Sequence, residues 1–402
     1  MKILVVCQYY YPEQFRINDI CETLVSEGHD VTVLTGLPNY PKGKLYRGYS
    51  WFRKRAEIVG GVKVKRVPIF TRGKNYPKLA LNYLSFIVAA SIKAIFLEKD
   101  YDVVYVYQLS PVTMAIPAIL YKKINKTKLA LYCLDIWPES IAAAGIDHSS
   151  FMYRYLLELS RKIYKSADVI SVTSQSFMNY LTDVIGLDNN HLIYQPQYAE
   201  ELFLSRNLEH DKSINNLEMN LVFAGNIGEM QSVDTIIRAA HELRDIKTIK
   251  WHIIGDGSAK LKCEELVNEL KLNEIVIFYG KRSVEEMPGF YSKASAFLVT
   301  LNKNENISRT LPGKVQSYMA FGKPIIGAID GETRRVILES GCGLCCEAEN
   351  YKGLADIIRE FIWEPTMIVE YGEKSRIYYE RNFSKQNFMN SLIHQLNKLT
   401  KR

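Results

Sequence analysis

Four glycine-bearing segments follow one another in the second half of the chain: AGNIG (224–228), IIGDGS (253–258), FYGKRSVEEMPGFYSKAS (278–295) and PGKVQSYMAFGKPIIG (312–327). Each begins at or beside an apolar run and leads into a polar, helix-forming one. Gly225, Asn226 and Gly228 in the first loop, and Gly255 in the second, let the backbone come close to a ligand, and the helix that follows offers free N–H groups. Taken singly, each loop is equally well a tight structural turn, with Asp256 capping the next helix. The pattern is not G-x-G-x-x-G and carries no acid at the end of a second strand, which disfavours a dinucleotide. Arg309 and Lys314 lie near the start of a short helix, where the backbone already favours an anion, so a phosphate is the expected guest. An ordinary first-turn surface lysine is the competing reading of Lys314.

The first half offers carboxylates. Glu13 follows the first strand-like run, and Asp135 and Glu139 follow the fourth. In α/β sheets the carboxyl ends of strands carry the ligands. Asp135 is the first candidate for a general base toward a hydroxyl, and Glu13 is the second. Against these roles, Asp135 is placed to cap the turn at Trp137-Pro138, and Glu13 to pair with Arg16. Tyr11 and Trp137 are placed to stack on a ligand face or to fill core, and Arg16 and Glu139 complete the candidate set of this half. His29, His191 and His252 lack any metal or triad spacing and are expected to be structural. Cys342-x-x-Cys345-Cys346 has no second ligand pair, so these cysteines read as small apolar filler and no metal is expected.

The elements that position these groups alternate. Short β-branched runs at 2–8, 30–36, 101–108, 128–134 and 168–174 alternate with helical segments, such as 18–27 closed by Gly28. After a polar interval at 207–220 the alternation restarts with runs at 221–228, 250–258, 274–281, 294–301 and 323–329. The fold class is therefore α/β, with two doubly wound Rossmann-like domains, 1–206 and 207–384, facing across a cleft. The helical, basic segment 385–402 is expected to pack back on the first domain.

Size and composition agree. A chain of 402 residues, 47% hydrophobic and 24% charged, fits two soluble domains. The net charge of +7 is modest, yet Arg53, Lys54, Arg55, Lys63, Lys65, Arg66, Arg72, Lys74 and Lys78 crowd the first 80 residues. Such a cluster suits an anionic lipid surface, a pyrophosphate or a nucleic acid, or simply a solvated face. Residues 79–97 approach a spanning length but are interrupted by Asn82, Ser85, Ser91 and Lys93, so they read as a buried or membrane-facing helix. The chain enters directly as a strand without a signal peptide, and its scattered cysteines suit a reducing cytoplasm.

In their order along the chain, the four glycine segments resemble the donor domain of GT-B-fold glycosyltransferases of family 4. CQYYYPEQFRINDI (7–20), TGLPNYPKG (35–43) and LDIWPES (134–140) resemble, more narrowly, the N-acetyl-L-fucosamine transferases of O-antigen and capsule assembly. The resemblance implies that the first loop lies beside the donor diphosphate and that Phe278 to Arg282, including Gly280 and Lys281, hold the nucleotide base. It also implies that the helix near 314–320 lies under ribose and phosphates. One departure stands out: Arg309 and Ser317 occupy the positions of the family's two glutamates, and Gln231 that of its lysine. Arg309 and Lys314 then supply the positive charge that a nucleoside diphosphate needs when it departs without a metal.

By that resemblance the partners are a UDP-sugar, a polyprenyl (undecaprenyl) diphosphate-linked sugar acceptor and the inner membrane surface, with no cofactor and no nucleic acid. A UDP-sugar 2-epimerase and a non-catalytic nucleotide-sugar-binding component remain open at this level, and an NAD-dependent dehydrogenase stands far behind them.

Overall fold

The computed structural model describes residues 1–73, 75–142, 145–204 and 218–400, so Lys74 and most of the polar interval at 207–220 lie outside the described residues. The chain divides into two compact units, one of Met1–Gln195 with the C-terminal segment from Met389, the other of Pro196–Phe388. The division falls eleven residues before the expected boundary at 206/207, which itself lies in the undescribed stretch.

The N-terminal unit is built on β1 (Lys2–Val6), β2 (Asp30–Gly36), β3 (Ala56–Val59), β4 (Val62–Val67), β5 (Val103–Gln108), β6 (Lys128–Cys133), β7 (Val169–Val172) and β8 (Leu192–Tyr194). Their order is β3-β4-β2-β1-β5-β6-β7-β8, and only β3 pairs antiparallel among the described strands. Ile3, Leu4, Val5 and Val6 are fully buried, as a central parallel strand requires, each contributing roughly 1.5–3 kcal/mol. The hairpin of β3 and β4 was not anticipated. In VKVKRV, Val62 and Val64 turn inward while Lys63 and Lys65 point outward to Asp30 and Glu98, a half-buried alternation that the charges disguise.

Arg66 also departs from expectation. It is a fully buried residue whose Nη2 donates to Glu57 Oε1 at 2.5 Å and to the Tyr11 carbonyl at 2.7 Å. It therefore belongs to the frame and not to a basic surface. The exposed part of the cluster, among the described residues, is Arg53, Lys54, Arg55, Lys63 and Lys78.

The apolar segment forms the helix Tyr76–Ile95, started by Asn75, whose side chain accepts from the Lys78 N–H. One face, Asn82, Phe86, Ala90 and Ala94, is buried. Asn82, the polar residue that interrupts the run, is satisfied there: it accepts from Gln8 Nε2 at 2.8 Å and donates to the Phe70 carbonyl at 2.6 Å. The opposite face leaves Leu81, Leu84, Val88, Ile92 and Ile95 exposed. Among the described residues this is the one helix long and apolar enough to cross a membrane.

The C-terminal helix Lys385–Thr400 joins this unit from Met389 on. Leu392 and Leu396 are buried, and Gln395 accepts from Ser171 Oγ at 2.7 Å and donates to Gln195 Oε1 at 3.0 Å.

The other unit is a parallel sheet of β9 (Met219–Ala224), β10 (Ile249–Ile254), β11 (Val276–Gly280), β12 (Ala296–Thr300), β13 (Ile325–Ala328) and β14 (Gly343–Cys346), ordered β11-β10-β9-β12-β13-β14. One face of the core gathers around Trp251, Ile236, Leu298 and Ile358. The other gathers around Phe297, Tyr318 and Tyr291. All seven cysteines are free thiols, and no group of three metal-binding side chains occurs among the described residues.

Candidate functional site

In the C-terminal unit three glycine loops meet at the carboxyl ends of β9, β10 and β11. The Gly225 N–H donates to the Ile254 carbonyl at 2.9 Å and the Gly255 N–H to the Gly280 carbonyl at 3.0 Å. Gly255 has φ +149°, and a Cβ there would lie 1.8 Å from the Gly225 carbonyl oxygen, so only glycine permits this stacking of backbones. Gln231 stitches the first loop: its Oε1 accepts from Asn226 Nδ2 at 2.9 Å and from the Gly228 N–H at 3.1 Å. The residue standing where the family has a lysine thus holds the loop shape.

Lys314 fills the place that its position in the sequence left open. It sits in the first turn of the helix Gly313–Phe321, and its Nζ reaches back to the first loop, 2.8 Å from where a Gly225 Cβ would be. The ammonium lies 3.8 Å from the centroid of the Phe223 ring, and no hydrogen-bond partner reaches it. Burial lowers its pKa to about 7. It is therefore not an ordinary surface lysine. An unpartnered amine buried against a glycine loop lacks charge compensation within the protein.

The helix is fixed by Tyr318, a residue outside the candidate set. Its hydroxyl accepts from the Ala224 N–H at 2.9 Å and lies 3.2 Å from the Ala224 carbonyl, while its ring stacks on Phe297 at 4.0 Å. A hydroxyl joining the last residue of β9 to the helix Gly313–Phe321 sets where Lys314 points.

The remaining expected donor residues divide. Ser317 is buried with its hydroxyl 3.3 Å from the Gly313 carbonyl, an ordinary bond to the preceding turn. Arg309 does not join Lys314 as a free cation: its Nη2 donates to Glu305 Oε1 at 2.7 Å, one turn earlier in the helix Glu305–Ser308 and its cap. Lys281 is exposed, and Arg282 turns back to the Tyr279 carbonyl and toward Glu286. Asp256 accepts from the adjacent Gly257 N–H, three residues before the cap of the next helix, and does not cap it. His252 is structural as expected, held between Tyr279 OH and Asn220 Oδ1, each at 2.8 Å. A hollow in this unit is edged by Glu229, Asp234, Glu265 and Glu269 together with Arg238 and Lys262, an excess of carboxylates that disfavours a diphosphate.

The N-terminal unit holds a cavity of about 900 Å³ whose walls include Asp135, Trp137, Ser110, Arg72, Tyr9 and Tyr83. Asp135 is largely withdrawn from water, which raises its carboxyl above the ordinary range, while nearby Ser140 and Ser110 hydroxyls act in the opposite direction. Trp137 is held by a bond from its Nε1 to Ser110 Oγ at 2.6 Å and presents its ring to the cavity.

Two expected acids are structural instead. Glu13 is buried, and its Oε1 accepts from the Asn39 and Tyr40 N–H groups at 2.7 and 2.6 Å, its Oε2 from Tyr10 N–H at 3.3 Å. Burial pushes its carboxyl up to about 7 against those donors, and its lone pairs are committed to the backbone. Glu139 is buried too, accepting from Tyr153 OH at 2.6 Å and lying 2.9 Å from His148 Nε2. It clamps the helix Phe151–Tyr164 in place, and those bonds hold its pKa below the usual value. Neither lines the cavity. Tyr11 lies outside it as well, 43% exposed, its carbonyl taken by Arg66. Arg16 opens the helix Arg16–Ser26 and is likewise not among the cavity's lining residues.

The comparisons agree with this arrangement. Residues 14–196 match the family described as "Glycosyl transferase 4-like domain", and residues 206–378 match "Glycosyl transferases group 1". The chain belongs to the group 1 glycosyltransferases. This transferase is 24% identical to the putative colanic acid biosynthesis glycosyl transferase WcaI of Escherichia coli, over 98% of this chain and 100% of that one. It is 22% identical to the N-acetyl-alpha-D-glucosaminyl L-malate synthase of Bacillus anthracis, over 89% of this chain and 86% of that one. Among solved structures, Anabaena HepE in complex with UDP and glucose superposes with a TM-score of 0.71 at 14% identity, covering 99% of both chains. The transferase therefore has the GT-B fold: two Rossmann-like α/β domains with parallel sheets.

Proposed function

We propose that this glycosyltransferase takes an acetamido sugar, N-acetyl-L-fucosamine by the resemblance of its N-terminal motifs, from a UDP donor. It delivers the sugar to a saccharide on undecaprenyl diphosphate during assembly of a bacterial O-antigen or capsule. The observation that carries the donor half of this reading is the unpartnered Lys314 ammonium at Gly225. A departing diphosphate needs positive charge, and Lys314 offers it from the helix side of the loop where relatives use a lysine at the position of Gln231. The UDP complex of HepE, the colanic acid role in the name of WcaI and the acetamido sugar in the name of the Bacillus anthracis enzyme support the same choice of chemistry.

On the acceptor side, Asp135 takes the proton of the attacking hydroxyl and Trp137 supports the sugar face. No metal is required, because the Lys314 ammonium stands in for one at the diphosphate. The enzyme works in the cytoplasm, against the inner face of the plasma membrane. The exposed face Leu81, Leu84, Val88, Ile92 and Ile95, with Phe52 92% exposed beside Arg53 and Lys54, provides apolar and cationic contact to an anionic leaflet.

The test is incubation with a panel of UDP-sugars and a short lipid-diphosphate saccharide, with UDP release and product followed together. Release of UDP with a lengthened lipid-linked saccharide is expected. A UDP-sugar isomer formed without acceptor, or no turnover of any donor, would overturn it.

A further inference from the structure

The cavity beside Asp135 carries a second charged group that neither the motifs nor the relatives' names assign. Arg72 lines it, and its Nη1 donates to Tyr9 OH at 3.2 Å while the guanidinium lies over the Tyr40 ring, 5.5 Å from the centroid. Among the described residues no carboxylate forms an ion pair with it. The chain around it is held on purpose: Glu13 takes the Asn39 N–H at 2.7 Å, and the Asn39 side chain takes the Arg72 N–H at 2.7 Å. A half-buried guanidinium whose company is the neutral phenols of Tyr9 and Tyr83 and the Tyr40 ring is left short of charge compensation, which an anionic ligand restores.

The rest of the wall is of another kind. Leu79, Ala80, Leu156 and Ile141 are apolar, and the rim residues Tyr76 and Met152 are 74% and 54% exposed. Next to them Phe151 and Tyr155 are 79% and 61% exposed, and the other face of the Tyr76–Ile95 helix is apolar and open. A free sugar phosphate would leave this apolar mouth in water. An amphiphile with an anionic head would cover it.

We infer that this cavity seats the diphosphate of an isoprenoid-linked acceptor, with Arg72 binding the phosphates and the isoprenoid chain leaving over Tyr76 and Met152. The inference rests on the lipid-diphosphate reading of the acceptor above and assigns its anchoring residues. Asp135 lines the same cavity, so a saccharide attached to that diphosphate is held in the chamber of the proposed base. Glu13 becomes a positioning residue, acting through Asn39 on Arg72.

The experiment is calorimetric titration of the full chain with farnesyl diphosphate below its micellar concentration, beside inorganic pyrophosphate and farnesol. Farnesyl diphosphate is expected to bind at least tenfold more tightly than either fragment. Arg72→Gln should lower that affinity at least tenfold, Arg72→Lys by less, and Met152→Glu should weaken farnesyl diphosphate without touching pyrophosphate. Melting temperatures check that each variant is folded. Equal affinity of wild type and Arg72→Gln, or equal affinity for pyrophosphate and farnesyl diphosphate, would overturn the inference. UDP titrated into the same samples reports on the donor site separately, so loss of UDP binding in the wild type would sink the donor reading and leave this one standing.

Discussion

The Lys314 ammonium occupies the space that a side chain at Gly225 would need, 2.8 Å from the position of the missing Cβ. Each residue is therefore read through the other: the glycine is small so that the lysine can reach the loop, and the lysine is long enough to cross from the helix. Gly225 also holds φ +143°, outside the range of ordinary residues. Gly225→Ala should displace the ammonium and strain the loop by about 1–3 kcal/mol, weakening UDP roughly tenfold or more. Titration of UDP into the variant checks this, with circular dichroism as the control for fold.

Acidity at Lys314 gives a signed prediction. Burial lowers its pKa to about 7, so in the empty site the amine loses its charge as pH rises through 7, while a bound diphosphate restores the proton. UDP affinity should fall from pH 7 to pH 9, with net proton uptake on binding near pH 8. Calorimetry in buffers of different ionisation enthalpy measures that uptake, and Lys314→Met should abolish it.

Tyr318 tests the frame apart from the chemistry. Tyr318→Phe keeps the stack on Phe297 but leaves the buried Ala224 N–H without its partner. A loss of about 1–3 kcal/mol in urea unfolding is expected, with weaker UDP binding because the helix that carries Lys314 is no longer fixed to β9.

The two candidate bases separate cleanly. Glu13→Gln keeps the oxygen that accepts from Asn39 and Tyr40 and should fold, whereas Glu13→Ala strands both N–H groups and should cost about 2–4 kcal/mol. Asp135→Asn should leave stability nearly unchanged and reduce turnover about a hundredfold or more. In the wild type, kcat/KM should rise with pH through a carboxyl lying above the ordinary range, because burial of Asp135 favours its protonated form and the base acts only when ionised. Asp135→Asn should flatten that limb.

The sheets were legible because their strands are short, β-branched and buried on both faces, as KILVV and DVISV show. The hairpin of β3 and β4 escaped because Lys63, Lys65 and Arg66 make a strand look like a charged surface, and the sequence does not reveal that Arg66 is buried against Glu57. The glycine loops were visible as a series, since their spacing reflects successive strand ends. Side-chain commitments were not. Arg309 is turned aside by Glu305, one helical turn away, and Glu139 by Tyr153 from the following helix and His148 from the turn before it. Asp135 and Lys314 were singled out for opposite reasons of sequence, one after a strand and one in the first turn of a helix, and burial acts on both, raising the carboxyl and lowering the amine. Tyr318 and Arg72 carried no motif at all. Their parts depend on contacts with residues 94 and 63 positions distant.

The most direct measurement is calorimetric titration of UDP at pH 7 into the wild-type chain and into Lys314→Met. A buried charge–phosphate contact is worth about 1.5–3 kcal/mol, so the account predicts affinity lowered roughly tenfold to a hundredfold in the variant, with the melting temperature preserved. Equal affinity of the two proteins for UDP would contradict it.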